Sequence, residues 1–145
     1  MTTTATIQSR ELVITVDGIE EPFSIAPLPG TKGQDLTNTF LGIAAGRLHP
    51  EGMEQVLITA VGEAVYARVK AELTLSEGES VLLPAFYWQT VLGLSGVNAY
   101  IDAGEGLAGS AQALRLLVAT LGISPTRTGH LPTTEFPTAS AEAAA

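Results

Sequence analysis

The ordered pattern of apolar and polar positions begins at Glu11-Leu-Val-Ile-Thr-Val16, a run rich in β-branched residues that predicts a strand. Asp17-Gly18 signals a turn, and Pro22-Phe-Ser-Ile-Ala26 predicts a returning strand whose proline sits at the entry, where a missing N–H costs least. Two strands alone are marginal in water, so Val13, Phe23 and Ile25 are expected to rest on a helical body. After Pro27-Leu-Pro-Gly30 the apolar period lengthens from two to three and four. Leu36, Phe40 and Ile43 predict a first helix over about residues 33 to 45. Met53, Val56, Leu57, Ala60, Val61, Ala64, Val65 and Val69 predict a second helix from about Glu51 to Leu73, with Pro50 and Glu51 suited to its first turn.

From Ser80 to Ile101 the chain carries no charged side chain, and this is its most aromatic stretch. Leu83, Phe86, Thr90, Leu94, Val97 and Ile101 share one helical face, while Leu82, Trp88 and Val91 make other faces apolar, which predicts a buried central helix. Ser76-Glu-Gly-Glu79 has the form of a capping box ahead of it. Gly104 closes the central helix, and Leu107, Ala111, Leu114, Val118 and Leu121 predict a fourth, amphipathic helix ended by Gly122 with Pro125 beyond. The expected fold is mainly α, of the α+β class: an N-terminal β-hairpin followed by a compact bundle of about four helices. Residues 10–122 form one domain, preceded by a Thr-rich, flexible stretch over 1–9. Residues 123–145 read as a disordered Pro/Thr/Ala-rich tail in which Leu131 and Phe136 stand as isolated apolar groups.

An uncharged run of this length meets the span of roughly 20 residues that a bilayer requires. Its contents argue for a core instead. Gln89, Thr90, Ser95 and Asn98 would need partners in lipid, and the flanks are acidic, with Glu77 and Glu79 before and Asp102 and Glu105 after. Charge narrows the partners further: 15 acids against 7 bases give a net charge of −8, and the bases are scattered, so nucleic acid is a poor partner. The start, Met-Thr-Thr-Thr-Ala-Thr, lacks the basic and apolar regions of a signal peptide, so no membrane partner is expected and the protein is expected to stay in the cytoplasm. There is no cysteine, which excludes disulfides and thiolate chemistry.

Gly104-Glu-Gly-Leu-Ala-Gly109 matches the dinucleotide fingerprint letter for letter. That motif needs a strand before it and an acid about 20 residues on. Here a helical pattern precedes it, so Gly104, Gly106 and Gly109 read as a join between helices. His49 and His130 lie 81 positions apart and neither has a metal-ligand neighbour at helical spacing. Glu63, Asp102 and Glu105 are the acids nearest the apolar stripes and read as solvated flanks or caps. No catalytic residue, metal or cofactor is nominated. An acidic helical domain without reactive groups reads as a binding module, and Tyr87, Trp88 and Tyr100 are the candidate partner-binding residues, with the alternative that both tyrosines are core residues.

Ala85-Phe-Tyr-Trp88 and Asn98-Ala-Tyr-Ile-Asp-Ala-Gly104 carry a resemblance. The first is similar to an Ala-Phe-aromatic-Trp segment, and the second to an Ala-Tyr-aromatic-acid-small-Gly ending, of the small tail assembly chaperones of long-tailed phages that infect actinobacteria. Glu11 to Pro27 resembles that family's opening hairpin, and order and spacing agree from about residue 10 to 104. Ile101 stands where the family often has a second aromatic, and the chain continues well past the glycine. The resemblance implies a non-catalytic protein of the host cytoplasm that binds the phage tape measure protein, keeps its long helix soluble, and is released as tube subunits assemble. It also implies a frameshifted longer form of the chain as a further partner. Alternative readings are a structural virion protein, such as a tail terminator or adaptor subunit, and a small nucleotide-binding domain using Gly104, Gly106 and Gly109.

Overall fold

A computed structural model of the chain describes residues 3–46 and 50–122, with the side chains of residues 50 and 51 outside the description. The expectations for His49, for His130 and for residues 123–145 therefore lie outside the described residues. Three antiparallel strands, β1 (Thr3–Gln8), β2 (Glu11–Val16) and β3 (Phe23–Ile25), form a sheet in sequence order. Residues expected to be flexible are thus the edge strand β1, paired along its whole length with β2 from Thr3↔Val16 to Gln8↔Glu11. The sheet's inner face is Leu12, Ile14, Val16, Phe23 and Ile25, all buried, with Leu12 opposite Ile25 and Ile14 opposite Phe23. Val13 was expected on that face. Period-two geometry sends it to the other side, opposite Ser24, because its neighbours Leu12 and Ile14 take the core.

Six helices follow among the described residues, not four: α1 (Gly30–Ala44), α2 (Pro50–Val61), α3 (Glu63–Glu72), α4 (Leu75–Gln89), α5 (Leu94–Asp102) and α6 (Gly106–Thr120). Two expected helices are each divided. The second breaks at Gly62, whose φ of 91° no helix permits. The central one breaks after Gln89, where Thr90 takes over the helix end: its hydroxyl donates to the Tyr87 carbonyl at 2.6 Å and accepts from the Leu92 amide at 3.3 Å. Gly93, at φ 58°, then starts α5 in a new direction. The apolar period survives across this elbow because α4 and α5 both bury apolar residues, so Leu94 ends up exposed while Val97 and Tyr100 are buried.

The capping box is also displaced by one pair. Thr74 Oγ1 accepts from the Glu77 amide, and the Glu77 carboxylate accepts from the Thr74 amide at 2.9 Å, so α4 starts at Leu75 with Pro84 inside it. The sheet rests on α4 and on α3. Arg68 of α3 fixes that seating: its guanidinium donates to the backbone carbonyls of Glu21 and Pro22, lies 4.0 Å over the Phe23 ring and pairs with Glu72 at 3.2 Å. No helix among the described residues is long and apolar enough to cross a membrane.

Candidate functional site

The three glycines of the fingerprint-like segment have structural tasks. Gly104 (φ 98°) and Gly106 (φ 59°) take left-handed conformations that turn the chain from α5 into α6. Gly109 lets the two helices touch, since a Cβ there would lie 2.5 Å from the Tyr100 carbonyl oxygen. Gly104 follows a helix, so the strand that a dinucleotide fingerprint requires is missing from its place. Among the described residues, no three His, Asp or Glu side chains converge as a metal site would need.

Tyr87 and Tyr100, two of the three candidate contact residues, are core residues: 3% and 1% exposed. Their rings pack tilted against each other at 5.5 Å between centroids, and Tyr87 also meets Phe40 at 5.2 Å and Phe86 at 5.6 Å. The Tyr87 hydroxyl bonds the Ser110 hydroxyl at 3.0 Å, and the Tyr100 hydroxyl accepts from the Gly106 amide at 3.2 Å. Burial pushes the Tyr87 hydroxyl above its ordinary pKa, with the Ser110 bond opposing. Tyr100 is pushed up to about 12, chiefly by burial, against the Gly106 amide and with the help of Glu105, Tyr87 and Glu79. Trp88, on another side of α4, is half-buried against the same core.

What the aromatic cluster builds is the floor of a groove. Between α1, the start of α2, α4 and α6 runs an open hollow of 370 Å³, walled by Phe40, Ile43, Met53, Leu83, Leu107 and Leu114 among others. Among the described residues no lining side chain is charged, and of the polar groups the Ser110 hydroxyl already bonds Tyr87. A second hollow, between α3 and α4, is smaller at 270 Å³ and mixes apolar residues with Lys70 and Glu79.

The apolar stripe of α6 explains why the groove exists. Leu107, Ala111, Leu114, Val118 and Leu121 were expected to face the core. The buried residues of α6 are instead Gly109, Ala113 and Leu117. Small side chains there allow the close approach to α5, which turns the larger stripe away from the core. Leu107 is left 91% exposed, with Ala111 exposed and Leu114 half-buried, all three on the groove wall. Periodicity found this stripe but not its destination, because hydropathy counts glycine and alanine for little while packing against Tyr100 selects them. Ile43 and Met53 entered the sequence pattern only as apolar positions of their helices, and nothing in that pattern marks them as groove residues. No family model, curated protein or solved structure matches the chain in comparisons with known proteins.

Proposed function

We propose that this protein is a non-catalytic chaperone that holds an amphipathic helix of its client in the groove between α1, α4 and α6. Following the resemblance of the Ala85-to-Trp88 and Asn98-to-Gly104 segments, the client is the tape measure protein of a long-tailed phage, bound in the host cytoplasm during tail assembly. The observation that carries the reading is the α6 stripe. Leu107, Ala111 and Leu114 have the i, i+4, i+7 spacing of a helix–helix contact, yet they lie in an open groove. Large apolar side chains left in solvent beside a preformed apolar hollow mark a surface that a partner covers.

Co-expression with the candidate tape measure protein tests this. The client is expected to stay soluble and to co-purify, and Leu107→Ser, at an exposed position that the fold does not use, is expected to weaken the complex. A client that is no more soluble with the chaperone than without it overturns the proposal. So does recovery of this polypeptide as a component of purified particles, which would make it a structural virion protein.

A further inference from the structure

The two edges of the sheet are finished differently. β3 is three residues long, Pro22 and Pro27 flank it, and Arg68 takes the carbonyls of Glu21 and Pro22 beside it, so this edge offers little to another strand. β1 is six residues long and pairs one for one with β2, without a bulge. Thr3-Thr-Ala-Thr-Ile-Gln8 contains no proline and no charge, and among the described residues no strand lies on its outer side. It lacks the short length, proline, charge or bulge with which natural sheets blunt an edge.

Register decides which backbone groups this edge presents. The two-residue turn Ser9-Arg10, with φ of 52° and 70°, is closed by a hydrogen-bonded pair, Gln8 and Glu11. Alternation then turns the N–H and C=O of Gln8, Thr6 and Thr4 toward β2 and those of Ile7, Ala5 and Thr3 outward. Thr3 is buried, whereas Thr4, Thr6, Ile7 and Gln8 are exposed and Ala5 is half-buried, so the open stretch is residues 4–8. Ile7 belongs to the inner face, opposite the buried Leu12, yet is 42% exposed, because the helices seat on β2 and β3 and leave β1 overhanging.

We propose that β1 pairs antiparallel with β1 of a second copy of this chain, in a register centred on Thr6. Such a seam keeps inner face beside inner face, so its two-fold axis passes through a residue and not between two, and Thr6 is the centre of the open stretch. Ala5 of one copy then faces Ile7 of the other in two hydrogen-bonded pairs, whose four bonds satisfy every outward N–H and C=O of residues 4–8. Each exposed Ile7 gains an apolar neighbour, Thr6 meets Thr6 on the outer face, and Thr4 meets Gln8. Any strand could take up the backbone groups; a second copy is singled out because the strand is its own complement in all of these pairs. The nearest charges in the hairpin, Arg10 and Glu11, are of opposite sign, so the seam is neutral although each chain carries a net charge of −8. Salt therefore strengthens the pair by screening repulsion between the two acidic bodies. Pairing uses up the open edge and stops at two copies. A seam of five residues falls well short of the roughly 1,200 Å² of a stable interface, so the dimer is weak and reversible.

The chain has no cysteine, so introduced ones report the register. Residues facing each other in a non-hydrogen-bonded pair have Cα atoms about 4.5 Å apart, within the range of a disulfide. Full-length Thr6→Cys is expected to cross-link into dimers under mild oxidation. Thr4→Cys, whose two copies lie about 14 Å apart in this register, is expected not to, while Thr4→Cys/Gln8→Cys cross-links again. Sedimentation of the unsubstituted protein from micromolar to millimolar concentration should show a monomer–dimer equilibrium. Ile7→Lys, which sets a charge at the seam, and Ala5→Pro, which removes an outward N–H and leaves the ladder to β2 intact, should each weaken it about tenfold with unchanged circular dichroism. A monomer at every concentration overturns the proposal, as does Thr4→Cys cross-linking as readily as Thr6→Cys. A dimer that neither Ile7→Lys nor Ala5→Pro weakens has its seam elsewhere and overturns it too. Amide exchange at Ala5 and Ile7 tests the other occupant. Exchange that is fast in dilute and slowed in concentrated solution supports pairing between copies; protection independent of concentration assigns the edge to another segment of this chain, residues 123–145 included, and overturns the proposal.

Discussion

Replacing Gln89 by methionine removes a polar hub from the point where three segments meet. The side chain is 8% exposed; its Nε2 donates to the carbonyls of Ala26 at 2.8 Å and Ala60 at 2.9 Å, and its Oε1 accepts from the Leu28 amide at 3.0 Å. Methionine fills the same volume and offers none of these bonds. The Ala60 bond is fully buried, so its carbonyl is left unsatisfied, at about 1–3 kcal/mol. The other two bonds are partly accessible, and water takes over their partners in part, so each adds about 0.5–1 kcal/mol. The sum is about 3 kcal/mol, a large share of the 5–15 kcal/mol that typically separates folded from unfolded domains. Urea unfolding measures it directly: fluorescence of Trp88, the sole tryptophan and the adjacent residue, reports this region, and far-ultraviolet circular dichroism reports the helices as a whole. A loss below about 1 kcal/mol would refute the claim that this side chain ties α4 to the sheet linker and to α2. Gln89→Glu sharpens the test. A carboxylate facing two carbonyls resists ionisation, so the folded-state pKa rises, and the variant is expected to be more stable below the ordinary glutamate pKa and to lose stability as pH rises through the shifted value.

Gly109→Ala places a Cβ 2.5 Å from the Tyr100 carbonyl and 2.7 Å from its ring, and because backbone cannot swing away the expected cost is at least about 3 kcal/mol in thermal or urea melts; a change under about 0.5 kcal/mol would mean that α5 and α6 are not in that contact. The two-residue turn Ser9-Arg10 has φ of 52° and 70°, which Asn-Gly adopts with less strain, so Ser9→Asn/Arg10→Gly should raise stability by about 1 kcal/mol by urea midpoint, and no gain would count against β1 pairing through this turn. Tyr100 and Tyr87 are neutral in the fold above the pH at which they ionise in the unfolded chain. Their contribution is therefore complete below pH 10.0 and is lost as pH rises above it, for Tyr100 toward about 12, and a flat unfolding midpoint across that window, followed together with tyrosinate absorbance, would contradict their burial.

The strand Glu11–Val16 was readable but its phase was not: Phe23 and Ile25 are buried as expected, whereas Leu12, Ile14 and Val16 take the core in place of Val13, because a run apolar on both faces does not tell period two which face points inward. β1 was not readable. Thr3-Thr-Ala-Thr-Ile-Gln8 offers its inner face little besides Ile7, itself 42% exposed, and the turn that pairs it uses Ser-Arg where a hairpin signal would be Asn-Gly. The helical positions were largely recovered, while the breaks were lost for a physical reason: at Gln89 and Thr90 the chain leaves the helix through side-chain hydrogen bonds, which an apolar period does not record. Thr37 extends the same polar knot, donating to Gly33 at 2.9 Å and accepting from the Val91 amide at 3.0 Å. For the candidate site, Tyr87 and Tyr100 were read either as partner contacts or as core residues and the structure buries them, while the α6 stripe was found as an amphipathic face but its apolar side was taken for a core face.

Both outcomes have one origin. Tyr87 and Tyr100 can be buried because Ser110 and Gly106 of α6 supply partners for their hydroxyls, and α6 reaches them because Gly109 and Ala113 keep its inner face thin. A thin inner face places the wider Leu107–Leu114 face at an angle to the core, where α1 and α2 do not close over it. The floor of the resulting groove is stiff, being made of Phe40, Phe86 and Tyr87 in mutual contact at 5.2–5.6 Å, Phe40 edge to face on Phe86 and both tilted against Tyr87. Its rim holds Met53 and Leu107, unbranched or exposed side chains that adjust cheaply to an incoming surface. A rigid floor limits the entropy lost on binding and an adaptable rim tolerates variation in what binds, a combination suited to gripping successive turns of a long helix rather than one fixed sequence.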